Sequence, residues 1–244
     1  MQYPRSEDND MLTLLATIAA AQTEPHLLGD QFDLPEGTIV WTAASLVNLR
    51  SGPRADTPVV RRLPAATRLT VLDDIGPWVE VKMGPVTGWV SRELLSTMGR
   101  RGDLDGDGIE ERIVVNSVGD GPIVAWLREG DHTQRVTLYA WPDPYMGTWA
   151  EVPAAEAGVN LVRVDLNQDS CGSYPTVWLS YTGDTLRRAL EVEPWADGGY
   201  GASFDVRFAE PGKATVREET YGELGENAVS ERSCTLTEGV FHCS

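Results

Sequence analysis

TRLTVLDDIGPWVEVKM, residues 67–83, contains two short runs in which apolar and polar residues alternate. Such alternation in RLTVL and WVEVKM is typical of strands with one buried face. Gly76-Pro77 separates the runs and predicts a turn. Similar apolar runs, TIVWTAA, LVNLRSGP and TGWVSRELL, follow one another from residue 37 to residue 96. So many short strands in one small segment predict a compact β-barrel.

The order of these runs resembles a known domain. NLRSGP at 48–53 is followed by a polar insert, by the 67–83 stretch, by Gly88-Trp89-Val90 and by RELL at 92–95. Together they resemble the bacterial SH3 (SH3b) domain over residues 37–97. The resemblance implies a non-catalytic barrel that occurs on exported bacterial proteins and binds cell wall or protein.

The same resemblance implies roles for single residues. Gly52 and Pro53 are expected to shape a turn, and Trp78 and Trp89 are expected to pack the barrel. Trp89 is also a candidate for direct contact with a ligand. The signature is architectural, and it therefore does not name that ligand.

A second pattern, GDLDGDGIEE at 102–111, follows the barrel. Asp103, Asp105 and Asp107 occupy positions 1, 3 and 5 of a calcium-type loop, with glycine at position 6. The Ile109 carbonyl lies at position 7 and Glu111 at position 9. Alternating carboxylates on a glycine-rich turn bring several oxygens to one point, as Ca²⁺ requires. The alternative is an acidic turn that needs no ion.

This loop differs from an EF-hand, because position 12 is Val114 instead of a bidentate Glu. The following EERIVVNS reads as a strand, since Ile and Val favour β structure. A loop that runs into an apolar strand resembles the calcium loops of FG-GAP or VCBS-type repeats. Asp165, Asn167 and Asp169 repeat the spacing before TVWLSY, but a serine replaces the glycine. They predict a weaker second loop in a domain with two related halves.

The C-terminal SCTLTEGVFHC predicts a disulfide hairpin. A two-residue turn at Glu238-Gly239 places Cys234 directly opposite Cys243, at a non-hydrogen-bonded pair where side chains lie closest. A disulfide indicates an oxidising compartment. Cys171 is left without an assigned partner. Residues 98–244 are expected to form one compact antiparallel β-rich domain, because two repeats cannot close a propeller.

The N-terminal part contains a short apolar run, MLTLLATIAAAQ at 11–22, which ends in small residues. Its length suits the core of a signal peptide and is too short for a membrane span. We therefore expect a signal peptide over 1–21, an acidic linker over 22–36, and a periplasmic or secreted protein without a membrane span. The acidic residues before the run are atypical of a signal peptide, and an N-terminal amphipathic helix is the alternative.

The net charge is −17, with −6 before residue 37, +2 over 37–96 and −13 beyond. This acidity argues against nucleic acid, which needs clustered cations, and suits a cationic partner, a divalent metal or solubility. None of the three histidines has a Cys, Asp or His at a catalytic spacing, and no hydrolase or phosphate-loop motif occurs.

The sequence therefore predicts a mostly β, non-catalytic exported binding protein whose ligand is peptidoglycan or an envelope protein, with Ca²⁺ in its C-terminal domain. A periplasmic inhibitor or immunity protein against a wall-degrading enzyme is one alternative. A peptidoglycan hydrolase with an unfamiliar site is another.

Overall fold

The computed structural model describes residues 26–27, 34–117, 121–140, 146–167, 175–197, 200–222 and 227–244. The predicted signal peptide, Asp169 and Cys171 lie outside these residues. The described chain is mostly β, with several antiparallel sheets and one α-helix. Its one α-helix, α1 (Ala154–Ala157), has a single turn, and no described helix has the length and apolar character that crossing a bilayer requires.

The first unit is a seven-stranded antiparallel barrel, in the order β4-β3-β7-β6-β5-β2-β8. Its strands are β2 (Ile39–Thr42), β3 (Leu46–Arg50), β4 (Val59–Pro64), β5 (Arg68–Ile75), β6 (Trp78–Met83), β7 (Val86–Ser91) and β8 (Leu95–Ser96). A 3₁₀ turn, Arg92–Leu94, joins the last two strands. The two runs of residues 67–83 are thus paired strands joined by a tight turn.

Aliphatic residues fill the barrel core, and the tryptophans lie outside it. Val79 and Val81 of β6 and Val90 of β7 are fully buried in one cluster. Successive side chains of a strand point to opposite faces of the sheet, so Trp78 and Trp89 lie on the outer face, where both are half-buried. The expectation that these two tryptophans pack the barrel interior is therefore wrong.

Three further sheets follow the barrel. The first is β12-β11-β10-β9, the second β1-β13-β14-β15-β16 and the third β17-β18-β19-β20-β21, all antiparallel. The first contains β9 (Gly99–Gly102), β10 (Glu111–Ser117), β11 (Ile123–Glu129) and β12 (His132–Tyr139). The second contains β1 (His26–Leu27), β13 (Met146–Val152), β14 (Leu161–Asn167), β15 (Thr176–Thr182) and β16 (Thr185–Val192). The third contains β17 (Trp195–Asp197), β18 (Tyr200–Glu210), β19 (Lys213–Tyr221), β20 (Ala228–Thr237) and β21 (Val240–Cys243).

The second sheet packs against both of the others, which explains its continuous apolar strands. In β15, Val177, Leu179 and Tyr181 belong to the core shared with the first sheet. The intervening Trp178 belongs to the core shared with the third sheet. A strand buried on both faces needs apolar residues at successive positions and shows no alternation.

Two parts of the segment predicted to be a linker, 22–36, belong to folded units. Leu34 is buried in the barrel core. His26 and Leu27 form β1, which pairs with β13 at the edge of the second sheet. Burial of the apolar Leu34 side chain is more favourable than its exposure to water, and backbone pairing holds His26 and Leu27 at the sheet edge.

The terminal hairpin has the predicted register. Cys234 is opposite Cys243, and Leu236 is opposite Phe241. Glu238 and Gly239 both have positive φ, 52° and 80°, as a two-residue turn of type I′ requires. The Cys234–Cys243 disulfide is present, which confirms that prediction.

The barrel packs directly on the first sheet, with only Thr97 and Met98 between β8 and β9. Trp41 of the barrel and Val114 of β10 share a small buried cluster. Gly99 lies against the Trp41 indole so closely that a methyl group there would overlap the ring. The Ser96 hydroxyl donates a hydrogen bond to the Val115 carbonyl at 2.6 Å. The two units therefore share a packed interface with a buried apolar cluster.

Candidate metal centre

The loop between β9 and β10 contains the aspartates of the predicted calcium site, and their side chains shape its backbone. The Asp103 carboxylate accepts the N–H groups of Gly106 at 2.7 Å and Gly108 at 3.0 Å. Asp105 accepts the Asp107 N–H at 3.1 Å, and Asp107 accepts the Ile109 N–H at 2.6 Å. Side-chain oxygens that bond to backbone N–H groups just ahead of them stabilise a tight turn. The loop is thus folded around its own carboxylates.

Three of the predicted ligands converge. One carboxylate oxygen from each of Asp103, Asp105 and Glu111 lies within 4.8 Å of the other two, and among the described residues this is the one such acidic group. Asp107 is exposed and lies outside the group. Ile109 has an exposed side chain. The described geometry therefore brings together three of the four predicted carboxylates.

Glu111 differs from the aspartates because it is fully buried, with 0% of its surface exposed. Its Oε2 atom accepts the Leu104 N–H at 2.5 Å. Its Oε1 atom is buried without a hydrogen-bond partner in the structure. A buried carboxylate oxygen without a partner is strongly destabilising unless a proton or a cation compensates it.

The surroundings of Glu111 add to this cost. Burial, followed by repulsion from Asp105, Glu129 and Asp103, raises the pKa of Glu111 from 4.5 to about 7. Burial and repulsion from neighbouring carboxylates, with Asp107 the first of them, also raise the pKa of Asp105. Near neutral pH the group therefore either keeps a proton or needs positive charge.

Glu129 and Tyr181 belong to this environment, and the sequence reading missed both. Glu129 is the direct cross-strand partner of Glu111. The Tyr181 hydroxyl donates a hydrogen bond to Glu129 at 2.5 Å, and burial raises the pKa of Tyr181. A signal for Glu129 existed, because a hairpin that pairs EERIVVNS with IVAWLRE brings two glutamates opposite each other. Tyr181 gave no such signal, since it comes from another sheet.

The donor set fits a hard divalent cation. Carboxylate oxygens alone, without Cys or His, suit Ca²⁺ rather than Zn²⁺ or Cu²⁺. A cation among Asp103, Asp105 and Glu111 would compensate the buried Oε1 and cancel the repulsion that raises the pKa of Glu111. These residues therefore fit a hard divalent cation such as calcium.

The second predicted loop is different. The Asp165 carboxylate accepts hydrogen bonds from Arg163 at 2.9 Å, from Thr176 at 2.7 Å and from Thr148 at 3.3 Å. The Arg163 guanidinium on β14 already compensates the charge of this carboxylate, whereas none of the ion pairs within the described residues includes Asp103, Asp105 or Glu111. The Asn167 side chain and Asp169 lie outside the described residues, and a second calcium site remains a prediction.

The outer face of the barrel carries the ligand candidate. Trp89 pairs with Glu80 of β6 and with Arg50 of β3. Trp78 lies two pairs away, opposite Ser91, and lines a cavity of about 580 Å³ with Gly76, Pro77, Arg92 and Glu93. Ile75, which pairs with Trp78, is 51% exposed. An apolar patch with a neighbouring cavity thus lies on the same outer face as Trp89.

Comparison with known proteins agrees with this barrel. The family model described as "Bacterial SH3 domain" matches residues 45–96, which run from just before β3 through β8. No curated protein and no solved structure gives a significant match to the chain. The FG-GAP and VCBS resemblance of the calcium loop has no support from these comparisons. Residues 45–96 of this chain are a bacterial SH3 domain.

Proposed function

We propose that the chain is a non-catalytic, exported bacterial binding protein. Its SH3 domain recognises peptidoglycan or an envelope protein, and Ca²⁺ stabilises its C-terminal domain. The observation that carries the binding role is the bacterial SH3 domain itself, since such domains bind cell-wall or protein ligands. The Cys234–Cys243 disulfide supports export to an oxidising compartment.

The outer face of the SH3 domain supports a ligand site at the two tryptophans. Trp78 and Trp89 are half-buried and point away from the core, although burying an indole in the barrel would be more stabilising. Aromatic side chains with one free face contribute large contact areas to ligands at small entropic cost. We place the ligand of this domain across Trp78 and Trp89.

Sedimentation with purified peptidoglycan tests this site. Wild type is expected to pellet with the cell wall, and Trp78→Ala with Trp89→Ala is expected to remain in the supernatant. Tyr200→Ala with Tyr221→Ala is the matched control, because both tyrosines are exposed aromatics on the third sheet. Equal pelleting of all three proteins would refute the site.

Two parallel assays separate the alternatives. An inhibitor or immunity protein would reduce the rate of a basic wall-degrading enzyme without pelleting with the wall. A hydrolase would release soluble fragments from peptidoglycan. Either result in place of sedimentation would overturn the proposed binding role.

The calcium role rests on the buried, unpartnered Oε1 of Glu111 beside Asp103 and Asp105. We expect weak affinity, on the order of 10⁻⁴–10⁻³ M, as in extracellular modules. Asp105→Ala is expected to remove most of the calcium-dependent gain in unfolding temperature, whereas Glu156→Ala, an exposed acidic residue on α1, is expected to retain it. Thermal unfolding in chelator and in millimolar calcium measures this, and a full gain in Asp105→Ala would exclude the loop as the site.

A further inference from the structure

Six arginines gather where the SH3 domain meets the first sheet, in a chain whose net charge is −17. They line a groove of about 470 Å³, hereafter the junction groove. The SH3 domain contributes Arg61, Arg62 and Arg68, and the first sheet contributes Arg101, Arg112 and Arg128. The chain has 20 Lys and Arg residues in all, so nearly a third of its cationic side chains lie at this one place.

Three of these arginines form a row across neighbouring strands. Arg112 of β10 pairs directly with Arg101 of β9 on one side and with Arg128 of β11 on the other. Directly paired residues project from the same face of a sheet, and like charges at such positions are destabilising. Burial and repulsion from Arg112 lower the pKa of Arg128, as expected where positive charges lie close together.

The protein compensates this charge only in part. Glu110 lies 3.3 Å from Arg112 and 3.7 Å from Arg101, and the Arg128 guanidinium donates to the Thr67 hydroxyl at 3.1 Å. Asp131 is the one acidic residue among those that line the groove. On the opposite wall, none of the ion pairs within the described residues includes Arg61, Arg62 or Arg68. Those three guanidinium groups are therefore available to a ligand.

The size and chemistry of the groove define the ligand class. Its volume falls within the range of roughly 300–1,000 Å³ that is usual for small-molecule sites. Arginine is preferred where an oxyanion is bound by two parallel N–H donors, and all six cations here are arginines. Phosphate presents more oxygens and more charge than one carboxylate, so it can engage several guanidinium groups together. The acidic remainder of the chain repels a long polyanion beyond the groove.

We propose that the junction groove binds a compact ligand with two or more phosphate groups. Arg61, Arg62 and Arg68 would contact it from the SH3 domain, and the row of three would contact it from the first sheet. The ligand would be a soluble oligophosphate compound or a phosphorylated lipid headgroup, which share this chemistry. The groove is separate from the outer face that carries Trp78 and Trp89. A result that refutes phosphate binding in the groove would therefore leave the proposed wall binding through these tryptophans untouched.

Calorimetric titration of the whole chain with inorganic pyrophosphate at low ionic strength tests the groove. Wild type is expected to bind, with an affinity that falls as salt is added because the contacts are between charges. Arg61→Gln with Arg68→Gln is expected to bind about tenfold more weakly or worse, since charge-assisted hydrogen bonds are lost. Both side chains are exposed, so this variant is expected to keep the wild-type unfolding temperature.

The matched control removes the same two charges elsewhere. Arg207→Gln with Arg232→Gln lies on the third sheet and is expected to bind pyrophosphate within about twofold of wild type, because neither side chain lines the groove or can contact the ligand there. A second arm uses vesicles with and without an anionic phospholipid. Vesicle binding that is lost in the groove variant assigns the lipid source, and pyrophosphate binding alone assigns the soluble one. No binding in either arm, or an equal loss in the control variant, would overturn the proposal.

Discussion

Glu111→Gln gives the sharpest test of the metal centre, because the expected advantage of the variant disappears when calcium is bound. Glutamine keeps the shape of the side chain and an oxygen for the Leu104 N–H, but it has no charge. Its amide group can donate to the aspartates that repel the wild-type carboxylate. Without calcium the variant should be the more stable protein, and with calcium it should lose that advantage.

The magnitude follows from the pKa of Glu111, which rises from 4.5 to about 7 in the folded protein. Between these values the folded state retains a proton that the unfolded state releases. The free energy of unfolding of calcium-free wild type therefore falls as the pH rises from about 5 to about 8. The full difference corresponds to about 3 kcal/mol, or an unfolding temperature about 6–12 °C lower for a chain of this length. Glu111→Gln has no such group and should avoid this loss.

The assay is thermal unfolding of both proteins at pH 5 and pH 8, each in chelator and in calcium. At pH 8 in chelator, Glu111→Gln should unfold at the higher temperature, and at pH 5 the two should be close. Calcium at about 100 times its dissociation constant should add about 2.7 kcal/mol to wild type and much less to the variant. Glu231→Gln, at an exposed position of β20, is the control. Equal unfolding temperatures in chelator at pH 8 would refute the buried-charge reasoning, and no calcium gain in wild type would refute the site.

Three further predictions concern other parts of the fold. Reducing the Cys234–Cys243 disulfide should lower the free energy of unfolding by about 2–3 kcal/mol, and denaturation with and without reductant measures this loss. Gly99→Ala should destabilise the chain by about 1–3 kcal/mol because the added methyl overlaps a buried indole; Gly102→Ala, with open space at the same atom, should not. Asp165→Asn should cost about 1 kcal/mol through its weakened hydrogen bonds, and it should leave the calcium gain unchanged because Arg163 already compensates the charge of that carboxylate. A calcium gain lost in Asp165→Asn would instead favour a second metal loop.

Local patterns in the sequence were enough to predict several features correctly. The alternation and turns of residues 67–83 predicted the SH3 strands. In a strand with one solvent-exposed face, apolar and polar residues alternate, so the sequence itself shows which side chains face the core. The Cys234–Cys243 pair followed from counting outward from a two-residue turn, because a hairpin fixes its register locally. In each case the decisive neighbours are close along the chain.

Features that depend on distant neighbours were not predicted. The expectation for Trp78 and Trp89 followed the general tendency of large aromatics to be buried, but the small barrel is already filled by Val and Leu side chains. The environment of Glu111 includes Glu129, which Tyr181 of the second sheet contacts. The junction groove is lined by arginines from both sides of an interface, and the net charge of −17 gave no indication of such a cluster. An overall charge says nothing about where cations cluster.

The short connection between β8 and β9 has a hydrodynamic consequence. A connection of only two residues, Thr97 and Met98, allows little relative movement of β8 and β9. The Val115 N–H also donates a hydrogen bond to the Met98 carbonyl at 2.9 Å, which holds the connection against β10. We therefore expect the SH3 domain to rotate in solution together with the sheets behind it. Amide relaxation in both parts should give one overall correlation time, that of a particle of nearly the full mass, whereas a domain on a free tether would reorient faster. If the SH3 domain binds the cell wall as proposed, the C-terminal sheets would be held at a fixed orientation to the wall surface.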